Sequence, residues 1–167
     1  MKKLFLFVGL VWATSCWAQT PAPQSDKAEV DFKAFLVRWE EAQSRFLNGD
    51  ATMWKQNSSQ SEEASIFGAF GGSEKGWKEV GPRYDWAASQ HRKSGTRKQV
   101  EYRSTVISGD LAFTVAIERD EALVGDQTKP APRALRVTQI FRREEGAWKL
   151  LHRHADPLVE KKAPLAP

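Results

Sequence analysis

From Lys98 to His154 the chain is written in alternation, and that half dictates the fold. Between Lys98 and Ile107, Val100, Tyr102, Ser104 and Val106 fall on one side, and Glu101, Arg103, Thr105 and Ile107 on the other. Successive side chains of a strand point to opposite faces, so this is a strand with two distinct faces. Ser108-Gly109-Asp110 is a turn, Leu111 to Arg119 a second strand, and Gly125 to Pro132 a loop. Ala134 to Arg143 is a third strand, Glu145-Gly146 a hairpin turn, and Trp148 to His154 the last strand. Consecutive strands on short connections make an antiparallel meander, and one face of it must be covered.

The first half supplies the cover. Phe32, Phe35, Leu36, Trp39, Gln43 and Phe46 recur at helical spacing and form one stripe of a long amphipathic helix. Asn48-Gly49 stops it, and Asp50 can cap a short second helix that carries Met53 and Trp54. Ile66 to Phe70 is a short apolar run closed by Gly71-Gly72, readable as a strand or as a helical turn. Trp77 to His91 reads as a third helix, regular from Pro82 onward. Helices first and a meander afterwards predict one α+β domain, a size that suits 167 residues. Seven Trp and nine Phe give it a core to bury.

Residues 1–18 read as a secretory signal peptide: Lys2 and Lys3, the apolar run Leu4 to Trp12, and a small-residue stretch ending at Ala18. Cys16 offers the alternative of a lipoprotein anchor. Residues 19–27 are expected to be flexible, 28–157 to form the domain, and 158–167 to be a flexible tail. Removing Lys2 and Lys3 lowers the basic count from 25 to 23 against 21 acids, a net charge of +2. That weak balance argues against a nucleic-acid partner, and nothing after the leader suggests a membrane. Loss of the single cysteine leaves no disulfide chemistry, which suits a periplasmic or secreted protein.

Certain segments carry a family resemblance. They are Phe46-Leu47-Asn48-Gly49-Asp50, Gly109-Asp110-Leu111-Ala112, and the terminal hairpin from Leu135 to His154 with its Arg136-Val137-Thr138 opening and Trp148-Lys149-Leu150 return. With the element order, they resemble the nuclear transport factor 2-like superfamily, in particular its SnoaL-like and ketosteroid-isomerase-like branches. The resemblance implies a cone: three N-terminal helices packed on a strongly curved antiparallel sheet, with a mostly apolar pocket at the open end. It also implies a homodimer through the outer face of the sheet.

The chemistry-bearing residues converge on few candidates. On a regular strand His152 and His154 share the face of Trp148 and Leu150, with Asp156 extending the row. A neutral imidazole there can act as a general base near pH 7. Glu118 follows the small side chains Ala112, Thr114 and Ala116, and is read either as a proton-transfer base or as the ion-pair partner of Arg136. His152, His154, Glu118 and Asp156 are thus the catalytic candidates. Trp54, Phe70, Trp86, Thr114, Arg136 and Thr138 are the expected ligand contacts. The alternative is that the tryptophans simply fill the core. The His-x-His spacing could place two nitrogens on one ion, with Asp156, Glu118 or His91 as a third ligand, but neither metal nor cofactor is expected. Tyr84-Asp85 on the third helix does not reproduce the oxyanion pair a steroid isomerase needs. The expected function is binding of a small, mostly apolar molecule in the cone. A proton-transfer enzyme (isomerase, dehydratase or cyclase) and a dimeric interaction module are the alternatives.

Overall fold

The structure is a computed structural model that describes residues 23–161. The expected leader, residues 1–18, lies outside the described residues. In chain order the elements are α1 (Pro23–Phe46), α2 (Thr52–Gln56), β1 (Ser65–Gly68), β2 (Gly71–Lys75), α3 (Trp77–Ser89), β3 (Gln99–Ser108), β4 (Leu111–Ala122), β5 (Ala131–Glu144) and β6 (Ala147–Pro157). This is the α+β layout expected, with three helices over one sheet. Helix α1 starts at Pro23, inside the 19–27 stretch expected to be a flexible N-terminus.

The stripe on α1 is buried as its spacing requires. Phe32, Trp39, Ala42 and Gln43 are fully inaccessible, and Phe35, Leu36, Phe46 and Leu47 nearly so. Phe32 packs edge-on against Phe141 and Trp148 of the sheet. Trp39 and Phe46 close on Trp54 of α2, with ring centroids 4.4 and 4.5 Å apart. The N-cap of α2 is Ala51 rather than Asp50; Asp50 lies one residue earlier, and its Oδ1 accepts the Thr52 N–H at 2.9 Å.

The sheet has six strands in the order β2-β1-β6-β5-β4-β3. It is mixed rather than wholly antiparallel, because β1 runs parallel to β6 with Ser65 opposite His152 and Phe67 opposite His154. The apolar run at Ile66 is therefore a strand, and it forms a hairpin with β2, which sequence reasoning does not anticipate. Helix α3 begins at Trp77, not at Pro82. Gly76, at φ 77°, turns the chain into the helix. Pro82 lies on the exposed side of α3, where the Lys78 carbonyl that a residue-82 N–H would have bonded is left to water.

Two bulges correct the expected faces. On β6, Phe141 pairs with Leu150 but Ile140 pairs with His152, so Leu151 is an extra residue. A one-residue offset exchanges the two faces of a strand. Trp148 and Leu150 point inward before the bulge, whereas Arg153 and Ala155 point inward after it. His152 and His154 do not share the face of Trp148 and Leu150; they lie on the outer face. A second bulge at Arg103 on β3 likewise turns Ile107 toward the helices and Val106 outward.

Candidate functional site

The inner face of the sheet carries a buried charged network behind a small cavity. Glu118 sits on β4 in register with the inward residues Ala112, Thr114 and Ala116, and its side chain is wholly buried. Arg153, turned inward by the Leu151 bulge, donates to it through both terminal nitrogens, at 2.8 Å to Oε1 and 2.7 Å to Oε2. Lys98 Nζ donates to the same Oε2 at 2.6 Å and lies 4.0 Å from Asp120. Burial alone would push the Glu118 carboxyl up, yet Arg153 and then Lys98 hold it down at about 2. Burial lowers the Lys98 ammonium from its ordinary value, opposed by Glu118.

Gln43 and Gln139 complete this network. With the amides oriented to suit their neighbours, Gln43 donates to Glu118 Oε1 at 2.8 Å and Gln139 accepts from Arg153 at 2.9 Å. Both accept from Trp39 Nε1, at 3.0 and 3.1 Å. Two glutamines in core positions of a helix and a strand are thus accounted for by one buried ion pair.

A second layer lies toward α3. Arg133 makes a two-pronged contact with Asp120, both bonds 3.1 Å. His91 Nδ1 donates to the Ala87 carbonyl at 2.9 Å, so its Nε2 lone pair accepts from Arg133 at 3.3 Å. Burial first, and the Arg133 charge second, lower the His91 imidazole to about 4, and it is neutral at pH 7.

Local structure delivers these groups. Asn48, the predicted helix stop, holds the loop before Lys98. Its Nδ2 donates to the Thr96 carbonyl at 3.1 Å, and its Oδ1 accepts from Ser94 N–H at 3.1 Å and Gly95 N–H at 2.8 Å.

The cavity in front of these charges measures about 60 Å³, room for a few water-sized groups. Its apolar walls include Phe46, Trp54, Phe70 and Leu135, and its cationic walls are Arg83, Lys98, Arg133 and Arg153. Phe70 is 39% exposed at the mouth. A wider recess of about 830 Å³ lies between the start of α1 and the β3–β4 turn. None of its lining residues is buried, and its Arg143 pairs with Asp31 and Asp110. It offers no organised chemistry.

The sequence-derived candidates divide between the two faces. Trp54 and Phe70 line the cavity. Trp86 does not reach it, being exposed and stacked on Arg83 at 4.3 Å, edge-on to Phe70. Thr114 is buried beside Gln139, 3.4 Å from its amide, and Glu118 lies behind the cationic wall. The expected Glu118–Arg136 pair does not form. Arg136 and Thr138 point outward on β5, and Arg136 lies 3.8 Å from Asp156. His154 Nε2 also lies 3.2 Å from Asp156. His152 bonds Ser65 through Nδ1 at 2.8 Å, and burial followed by the charge of His154 lowers its imidazole. Among the described residues no three His, Cys, Asp or Glu side chains gather as a metal site. Sequence reasoning misses Lys98, Arg133 and Arg153. His91 enters it as a possible third metal ligand, and Asp120 does not enter it.

Comparison with known proteins agrees with this architecture. The SnoaL-like domain family matches residues 28–160. No curated protein sequence matches the chain. Among solved structures, a nuclear transport factor 2-like superfamily protein from Salmonella enterica serovar Typhimurium is 16% identical with a TM-score of 0.70, covering 86% of this chain and 99% of that one. A candidate dehydratase of the same family from Streptomyces avermitilis is 19% identical with a TM-score of 0.64, covering 83% of this chain and all of that one. A nuclear transport factor 2-like protein of unknown function from Pseudomonas putida is 20% identical with a TM-score of 0.60, covering 85% and 98%. At these identities the likeness is one of fold. The family match spans both the helices and the curved sheet that frame the cavity, and the chain belongs to the SnoaL-like domain family, on the nuclear transport factor 2-like fold.

Proposed function

We propose that this domain binds a small, mostly apolar organic molecule in the inner-face cavity beside α3, without turning it over. The supporting observation is the cavity itself: Phe46, Trp54, Phe70 and Leu135 meet in front of a buried network in which Glu118, Arg153, Gln43 and Gln139 are paired with one another. Concave apolar walls with a few fixed polar groups are the ordinary form of a ligand site. The acid–base alternative has weaker support. A Glu118 carboxyl held at about 2 is a poor base near neutrality, and His152, His154 and Asp156 face away from the cavity.

Two further features belong to this reading. The leader pattern of residues 1–18 supports export to the periplasm or outside the cell. A hydrophobic row crosses the outer face, with Val106 opposite Phe113 and Phe113 opposite Ile140, all more than a third exposed. It supports a homodimer through that face.

Native mass spectrometry of protein isolated from its own cells, followed by denaturation, tests all three parts. The expected result is a dimer of chains beginning at Gln19 that releases a small organic molecule when denatured. An apo protein, under conditions that preserve the dimer, counts against the binding reading.

A further inference from the structure

The four cations on the cavity wall are not matched by carboxylates on that wall. Arg83, Lys98, Arg133 and Arg153 line it, while Glu118 and Asp120 sit behind them with side chains wholly buried. Arg83 has its own partner in Glu74, 3.6 Å away. The remaining inner cluster holds Lys98, Arg133 and Arg153 against Glu118 and Asp120, one positive charge in excess. His91 adds no charge, because its Nδ1 proton is committed to Ala87 and its other nitrogen accepts from Arg133.

Lys98 is the pivot. Its ammonium has three N–H donors and a side chain only 4% exposed. Among the described residues, one carboxylate oxygen lies within hydrogen-bonding distance, Glu118 Oε2 at 2.6 Å; Asp120 stands at 4.0 Å. A buried ammonium with donors to spare, at the edge of a cavity with surplus positive charge, favours an anion there. An uncompensated buried charge is costly, and a ligand anion would offset it. Arg133 lies at the same wall, with its guanidinium 6.0 Å from the Phe70 ring centroid. Charged and apolar recognition are therefore adjacent.

We propose that the cavity takes its ligand by a carboxylate held against Lys98 and Arg133, with the apolar remainder between Phe70, Trp54 and Leu135. This rests on the reading that the cavity is a small-molecule site, and it names the ligand class. A volume of about 60 Å³ holds the carboxylate and first carbon of a short-chain monocarboxylate, with the rest of the chain at the mouth beside Phe70.

The test is an NMR titration of the folded, leader-free chain at pH 7 with butanoate and, separately, with butanamide. The two differ in charge and little in shape. Butanoate is expected to bind at least ten-fold more tightly and to shift the amides of Phe70, His91 and Lys98. In Lys98→Met, which keeps the apolar stem, that preference should disappear while butanamide binding is retained. Equal binding of acid and amide to the wild-type chain would overturn the anionic end and leave the pocket reading intact. Binding of neither would overturn both. Should Lys98→Met not fold, the acid–amide comparison on the wild-type chain decides alone.

Discussion

Arg153 and Glu118 face each other across the inner sheet with two hydrogen bonds of 2.8 and 2.7 Å, both side chains out of reach of solvent. They meet because Leu151 is one residue too many on β6, which brings Arg153 to the inside. The ion pair, its glutamine neighbours and the cationic wall all follow from that bulge.

Removing one partner of a buried pair leaves the other charged and undersatisfied. Arg153→Leu is therefore expected to destabilise the domain by about 3 kcal/mol, somewhat moderated because Lys98 remains beside Glu118. Adding Glu118→Gln should recover part of the loss, since no carboxylate is then left short of a partner. Urea denaturation of the three proteins checks this. Additive losses in the double variant would show that the two side chains are not coupled.

Deleting Leu151 removes the bulge without changing any other side chain. Leu150, His152 and Arg153 then follow one another inward, outward and inward against Phe141, Ile140 and Gln139, so Arg153 still meets Glu118. We expect a loss of about 1 kcal/mol or less by urea denaturation, because the buried ion pair is kept. A loss on the order of 4 kcal/mol, as for a broken buried charge network, would contradict Leu151 as the extra residue of the strand.

His91 makes stability depend on pH. Its imidazole is lowered to about 4 in the fold, against 6.5 in the unfolded chain. Below pH 6.5 the unfolded chain binds a proton that the folded chain refuses, so stability falls as pH falls, until the folded imidazole titrates near pH 4. The full effect is about 3 kcal/mol, since each tenfold loss of proton affinity on folding is worth about 1.4 kcal/mol. His152, lowered in the same direction, adds to the slope in that window. The Glu118 contribution is retained until pH falls below 4.5 and is lost toward 2. Denaturation at pH 7 and pH 5 should therefore show the decrease, and His91→Gln should reduce it. An unchanged slope in that variant would contradict a neutral buried His91.

The outer row tests the oligomer. Wild-type protein should scatter light as a dimer at micromolar concentration. Phe113→Glu should give a folded monomer, because it places a charge at the centre of the row. A wild-type monomer would remove the homodimer from the account.

Some of this is legible in the residues and some is not. The α1 stripe, the Asn48-Gly49 stop and the hairpin at Glu145-Gly146 each follow from local rules, and the structure keeps them. Strand β2, Gly71-Gly72-Ser73-Glu74-Lys75, has no β-branched or aromatic residue; it is an edge strand paired only with β1. Bulges at Arg103 and Leu151 leave no mark in composition, so strict alternation assigns the faces beyond them in reverse. Lys98 and Arg153 look like solvated surface charges in sequence. Only their partners on β4, distant in the chain, reveal them as buried. Gln43 within an otherwise apolar stripe is the one local hint that something charged lies beneath.

The most direct measurement asks which face of the sheet holds the ligand. Three proteins would be purified from their native compartment and assayed for retained small molecule: wild type, Ala69→Trp and His152→Ala/His154→Ala. Ala69 lines the cavity in the turn between β1 and β2, so an indole there should fill it. Ala69→Trp is expected to emerge folded and empty, and the double histidine variant to keep its ligand. An Ala69→Trp protein that retains the molecule, or a double histidine variant that loses it, would place the site on the outer face and contradict the inner-face cavity as the binding site.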